Sequence, residues 1–135
     1  MECIKSKKGN IIAIVIREKD RFEGIKFFTP SNFSQQVGLL THKKGSIVKP
    51  HVHKLIERKV EITQEVLFVK KGKIALYLYD ESNKHMATRY LKKGDTVILA
   101  SAGHGIKVLQ ESVIFEVKQG PYAGADDKVY LKKKL

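Results

Sequence analysis

The chain reads as an all-β protein. Three observations predict this class. Apolar, β-branched runs of four to eight residues follow one another, separated by turn signals every ~8–12 residues. No stretch carries a sustained helical period. The pair His51-Val52-His53 places two imidazoles at i and i+2, a spacing that points both the same way on a strand.

The strand readings run in chain order. Ile11 to Ile16 is apolar and β-branched, and Gly24 to Thr29 is extended up to Pro30. Gln35 to Thr41 precedes the turn at Lys43-Lys44-Gly45, and Ser46 to His53 follows it. Glu65 to Lys70 and Ile74 to Tyr79 flank Lys71-Gly72 and read as a hairpin. Met86 to Leu91, Thr96 to Ala100, Gly105 to Leu109 and Val113 to Lys118 continue the series, and Val129 to Leu131 adds a short last strand. Residues 54–64 have irregular apolar spacing with β-branched Val60, Ile62 and Thr63, so they read as a loop with an extended second half. A jelly roll is the all-β form that encloses a cavity at this length.

A chain of 135 residues with 42% hydrophobic content fits one domain over residues 1–135. The six-residue run Ile11–Ile16 is too short to span a membrane or to form a signal-peptide core, so the expected setting is cytoplasmic. Cys3 is the single cysteine, which excludes an intrachain disulfide. The net charge of +12 raises the question of nucleic acid. Much of the excess lies in Lys-Lys-Gly tripeptides ending at Gly9, Gly45, Gly72 and Gly94, where turns belong, and in the tail Lys132-Lys133-Lys134. That distribution disfavours nucleic acid and suits an anionic small molecule. No P-loop, dinucleotide fingerprint, Gly-x-Ser-x-Gly or zinc-finger cysteine set is present.

Two imidazoles joined by a carboxylate on one cavity wall form a recurring site for a first-row metal. His51 and His53 supply the imidazoles, and Glu65, at the start of a strand, supplies the carboxylate. His104, between Gly103 and Gly105, is the fourth candidate. His42 and His85 read as surface residues. Arg58, in the 54–64 loop, has the planar fork that grips a carboxylate or phosphate.

These residues resemble the motifs of the cupin family, small double-stranded β-helix barrels. The first cupin motif is Gly, five residues, His-x-His, a short gap, Glu, six residues, Gly. Gly45, His51, His53, Glu65 and Gly72 match it. Gly94 starts the second motif, and His104 stands for its histidine. The resemblance covers residues 45–109. Eleven residues separate His53 from Glu65 where the family has three or four, so 54–64 becomes an inserted loop at the barrel mouth. Ala100 and Ala102 replace a Pro and a Gly, and His104 comes one residue early.

The resemblance implies one divalent metal, Fe, Mn, Ni, Co or Zn, held by His51, His53, Glu65 and His104. The expected substrate is a small anionic or hydroxylated metabolite, such as a sugar derivative, with Arg58 as its anchor. Isomerase, epimerase and dioxygenase-type chemistry are all compatible. The alternative is a non-catalytic module that binds a small ligand. A homodimer is the expected assembly.

Overall fold

A computed structural model of the chain describes residues 1–132. The described residues form eight strands: β1 (Glu2–Lys5), β2 (Ile11–Ile16), β3 (Ile25–Phe27), β4 (Gly38–Leu40), β5 (Glu65–Tyr79), β6 (His85–Lys92), β7 (Thr96–Leu99) and β8 (His104–Lys118). A 3₁₀ turn at Gly124–Asp127 is the one helical element among them. The all-β expectation holds. Among the described residues, no helix is long and apolar enough to cross a membrane.

Met1–Asp20 and the chain from Ile62 onward form one compact unit, and Arg21–Glu61 forms another. In the second unit β3 and β4 pair antiparallel, Ile25 with Leu40 and Phe27 with Gly38. Residues 41–61 form no strand there and are exposed throughout. Ser46 to His53 therefore departs from the strand reading. Pro50 cannot donate to a ladder, and no neighbouring strand pairs with this stretch.

The larger unit is one antiparallel sheet in the order β1-β2-β7-β5, with β6 and β8 also on β5. β8 pairs with β5 from Glu65–Lys118 to Leu78–His104. The other edge of β5 is shared end to end. β7 pairs with Glu65–Phe68, and β6 pairs with Lys73–Tyr79. β2 lies between β1 and β7 and is buried on both faces, which accounts for its unbroken Ile-Ile-Ala-Ile-Val-Ile sequence. At the far end, Arg89 Nε of β6 donates to both carboxylate oxygens of Glu2 in β1 at 2.9 Å.

The expected hairpin at Lys71-Gly72 is a bulge inside one 15-residue strand. Leu67 and Val69 face the core before it, and Ile74, Leu76 and Leu78 after it, all five 2% exposed or less. The change from odd to even positions is what one inserted residue does to a period-two pattern. Gly72 occupies φ +84 at this corner. The second lysine-glycine corner meets the first: Gly94 N–H donates to Val69 O at 2.8 Å, and Lys93 N–H to Gly72 O at 3.2 Å. Gly105–Leu109 and Val113–Lys118 likewise belong to one strand, β8, broken by a bulge. Val129–Leu131 forms no strand. Of the basic tail, Lys133 and Lys134 lie outside the described residues.

Candidate functional site

Glu65 opens β5 between Leu99 of β7 and Lys118 of β8. Its side chain is only 10% exposed. The preceding Gln64 is buried, and its N–H donates to Gln119 Oε1 at 2.9 Å, which fixes the strand's first turn of backbone. His104 opens β8 after the link Ala100–Gly103. That link is tied at three points: Ala100 N–H to Ile12 O at 2.9 Å, Ser101 Oγ to Ile11 O at 2.8 Å, and Tyr79 N–H to Gly103 O at 2.9 Å. Ala102 adopts φ 62, a left-handed conformation in which a Cβ is strained.

His104 Nε2 lies 3.1 Å from Glu65 Oε2. The hydrogen bond from His104 holds the Glu65 carboxyl below the usual carboxylate range; burial opposes it, and Lys128 and Lys118 add smaller favourable fields. Glu65 is therefore a carboxylate kept ionised in a largely enclosed place. Lys118 is itself held by Asp127, Nζ to Oδ2 2.8 Å, and its Nζ lies 4.9 Å from the Tyr122 ring centroid. Lys118, Gln119 and Lys128 were not legible as site residues. Their only sequence signal is position at or after the end of the Val113–Lys118 run, and their approach to Glu65 depends on where β8 ends against β5.

His51 and His53 lie in the Arg21–Glu61 unit, with ring centroids 5.3 Å apart and planes at 79°. His51 Nδ1 is 2.8 Å from Lys49 O. A carbonyl only accepts, so in the neutral ring this contact puts the proton on Nδ1 and leaves Nε2 as the nitrogen that can take a ligand. Arg58 is exposed in the same unit, and its Nη1 donates to Ile56 O at 3.2 Å. His42 and His85 are exposed, as their surface reading expects. Tyr79 is buried with its ring centroid 6.0 Å from that of His85, a packing role.

The structure thus brings together two pairs: Glu65 with His104, and His51 with His53. Among the described residues, no group of three or more His, Cys, Asp or Glu side chains is arranged to hold a metal ion. The Glu65–His104 pair does fit one as two adjacent ligands. Donor atoms at ~2.1 Å from a first-row ion and at right angles lie about 3 Å apart, and the two side chains are of the types such ions take. Without a metal, the same pair is a carboxylate–imidazole dyad able to hold and pass a proton.

No known protein family, curated protein or solved structure matches the chain.

Proposed function

We propose that the chain is a metal-dependent cupin-type barrel that acts on a small anionic or hydroxylated metabolite. The observation that carries the reading is the meeting of Glu65 and His104, two residues singled out by separate motifs and 39 positions apart in the chain. The folding back of the β5–β8 ribbon at Gly72 supports the double-stranded β-helix form of barrel.

Glu65 and His104 are the proposed ligands of one divalent ion, Fe, Mn, Ni, Co or Zn, and the sequence motif alone adds His51 and His53 to the set. Bound there, such an ion supplies Lewis acidity toward a carbonyl or neighbouring hydroxyls. Glu65 offers an oxygen already ionised by its surroundings. His51 offers Nε2, with its tautomer set by the Lys49 carbonyl. Arg58 is the proposed anchor for the anionic end of the substrate. Isomerisation, epimerisation and O₂-dependent oxidation are the reaction classes this arrangement serves.

The test is elemental analysis of gently purified wild-type protein beside Glu65→Gln and the His51→Ala/His53→Ala variant. Metal-loaded protein is then screened for solvent-hydrogen exchange into sugar derivatives and for O₂ uptake. The expected result is near-stoichiometric metal that both variants lose, with turnover only in the loaded wild type. Absence of bound metal after reconstitution with each of the five ions, or a Glu65→Gln protein that keeps it with full activity, overturns the reading.

A further inference from the structure

Lys73 and Lys92 are direct cross-strand partners in the β5–β6 ladder. Side chains so placed have Cβ atoms about 4.5–5.5 Å apart, and like charges there repel. Neither ammonium has a carboxylate within ion-pair distance among the described residues. Tyr90, two residues before Lys92, shares their face of the sheet; it is 60% exposed, and Lys73 Nζ lies 5.8 Å from its ring centroid.

This face is the floor of a cleft of about 500 Å³ whose wall is Arg17-Glu18-Lys19, the segment leaving β2. The wall is built in. Asp95, 1% exposed, accepts from Arg17 Nη1, Glu18 N–H and Lys92 N–H, each at 3.0 Å. Arg17 Nη1 also donates to Tyr90 O at 2.7 Å, joining wall to floor. Gly94 makes room for Glu18: a Cβ at Gly94 would lie 2.2 Å from Glu18 Cγ. With Arg17 matched by Asp95, the cleft keeps Lys19, Lys73 and Lys92 against the single carboxylate of Glu18.

We propose that this cleft is a second ligand site, for a phosphate monoester carried on a ring. The facing lysines bind the phosphate as point charges, and the Tyr90 face carries the ring. Its volume falls in the range of small-molecule sites. It shares no residue with the Glu65–His104 pair, so it stands or falls apart from the metal reading. The cost of facing Lys73 to Lys92 is offset when an anion lies between them.

The test is calorimetric titration and thermal unfolding of the full chain with adenosine monophosphate, a hexose phosphate and inorganic phosphate. The expected result is saturable binding of at least one ring phosphate, roughly tenfold tighter than inorganic phosphate. The two ring probes distinguish a nucleotide from a sugar source. Lys73→Ala is expected to weaken that binding by roughly tenfold or more. The same variant without ligand is expected to melt about 1–4 °C higher, because the repulsion is gone. Failure of all three probes to bind, or unchanged affinity in Lys73→Ala and Lys92→Ala, overturns the site. Equal affinity for inorganic phosphate overturns the role of Tyr90.

Discussion

His104 Nε2 and Glu65 Oε2 are 3.1 Å apart, yet the backbones that carry them pair with opposite ends of β5. Glu65 begins β5, and His104 is the partner of Leu78, near its end. A straight strand between those positions would span roughly 43 Å at ~3.3 Å per residue. The chain itself forbids that length. Leu99 pairs with Glu65, and the link from Leu99 to His104 reaches about 19 Å at most. The ribbon must therefore fold back, and the bulge at Gly72 is where it turns.

Gly72→Ala tests the corner. The position needs φ +84, and a Cβ there would lie 2.2 Å from Glu111 O and 2.3 Å from Ser112 Oγ. Strain and clash together should cost about 2–4 kcal/mol. Gly9→Ala is the control, since Gly9 has φ +87 but nothing within 4 Å, and it should lose only the conformational share of about 1 kcal/mol. Urea unfolding of both variants reads the difference. Equal losses would mean that packing against the bulge of β8 contributes nothing to the corner.

Acid should expose the Glu65–His104 bond. The folded-state pKa of Glu65 is lowered by its hydrogen bond to His104, so the native state binds that proton less readily than the unfolded chain. The resulting stability is complete above the ordinary glutamate value of 4.5 and is lost as pH falls through the lower folded value. In His104→Ala the depressing hydrogen bond is gone and burial remains, which raises the pKa. The acid limb of a melting-temperature profile, scanned from about pH 6 to about pH 3, should therefore move to higher pH in that variant. A limb that stays where wild type has it would remove the bond from the account of Glu65.

The single strands were legible where pattern and pairing agree. β2, β6 and β7 follow from their apolar runs, Glu65 follows from motif spacing, and His104 stands one residue off that spacing, between two glycines. The two long strands were each legible only as two short ones. Lys71-Gly72 and Gln110–Ser112 interrupt the apolar alternation, and a two-residue turn and a bulge leave the same interruption in a sequence. What separates them is the partner strand, and pairings such as Val69 with Ile114 are not local. β1 is four residues long, too short for periodicity to mark, although it pairs with β2 in a local hairpin that sets Lys5 opposite Ile11. The Glu65–His104 contact depends on the curl of the ribbon, which no spacing rule encodes. Asp95 gave a faint signal, a lone acid after Lys-Lys-Gly, but its burial depends on Arg17, 78 positions away.

Ala102→Gly should stabilise the protein. Ala102 stands at φ 62 in the link that delivers His104, where the cupin pattern has glycine. Relief of left-handed strain outweighs the added freedom of the unfolded glycine, for a net gain of about 1 kcal/mol or less. Because the link is tied by Ser101 and Gly103, the position of His104 should not change. Unfolding gives the first quantity, and the acid limb of the profile serves as a readout of the second. A gain in stability with a shifted acid limb would mean that the strain helps to set the histidine.

Asp95→Ala should be among the most damaging substitutions of a charged residue in the larger unit. It removes the acceptor of three hydrogen bonds in a place only 1% exposed. Two backbone N–H groups lose their partner, and the Arg17 guanidinium loses its counter-charge. The expected loss is about 3–4 kcal/mol by urea unfolding. Asp80 is the informative comparison. It also accepts three hydrogen bonds, from Ser82 N–H, Ser82 Oγ and Lys84 N–H, but in a turn that water reaches. Solvent replaces those bonds, so Asp80→Ala should cost clearly less. If the two losses matched, the number of bonds rather than their burial would set the cost, and the anchoring of Arg17-Glu18-Lys19 by Asp95 would carry no special weight.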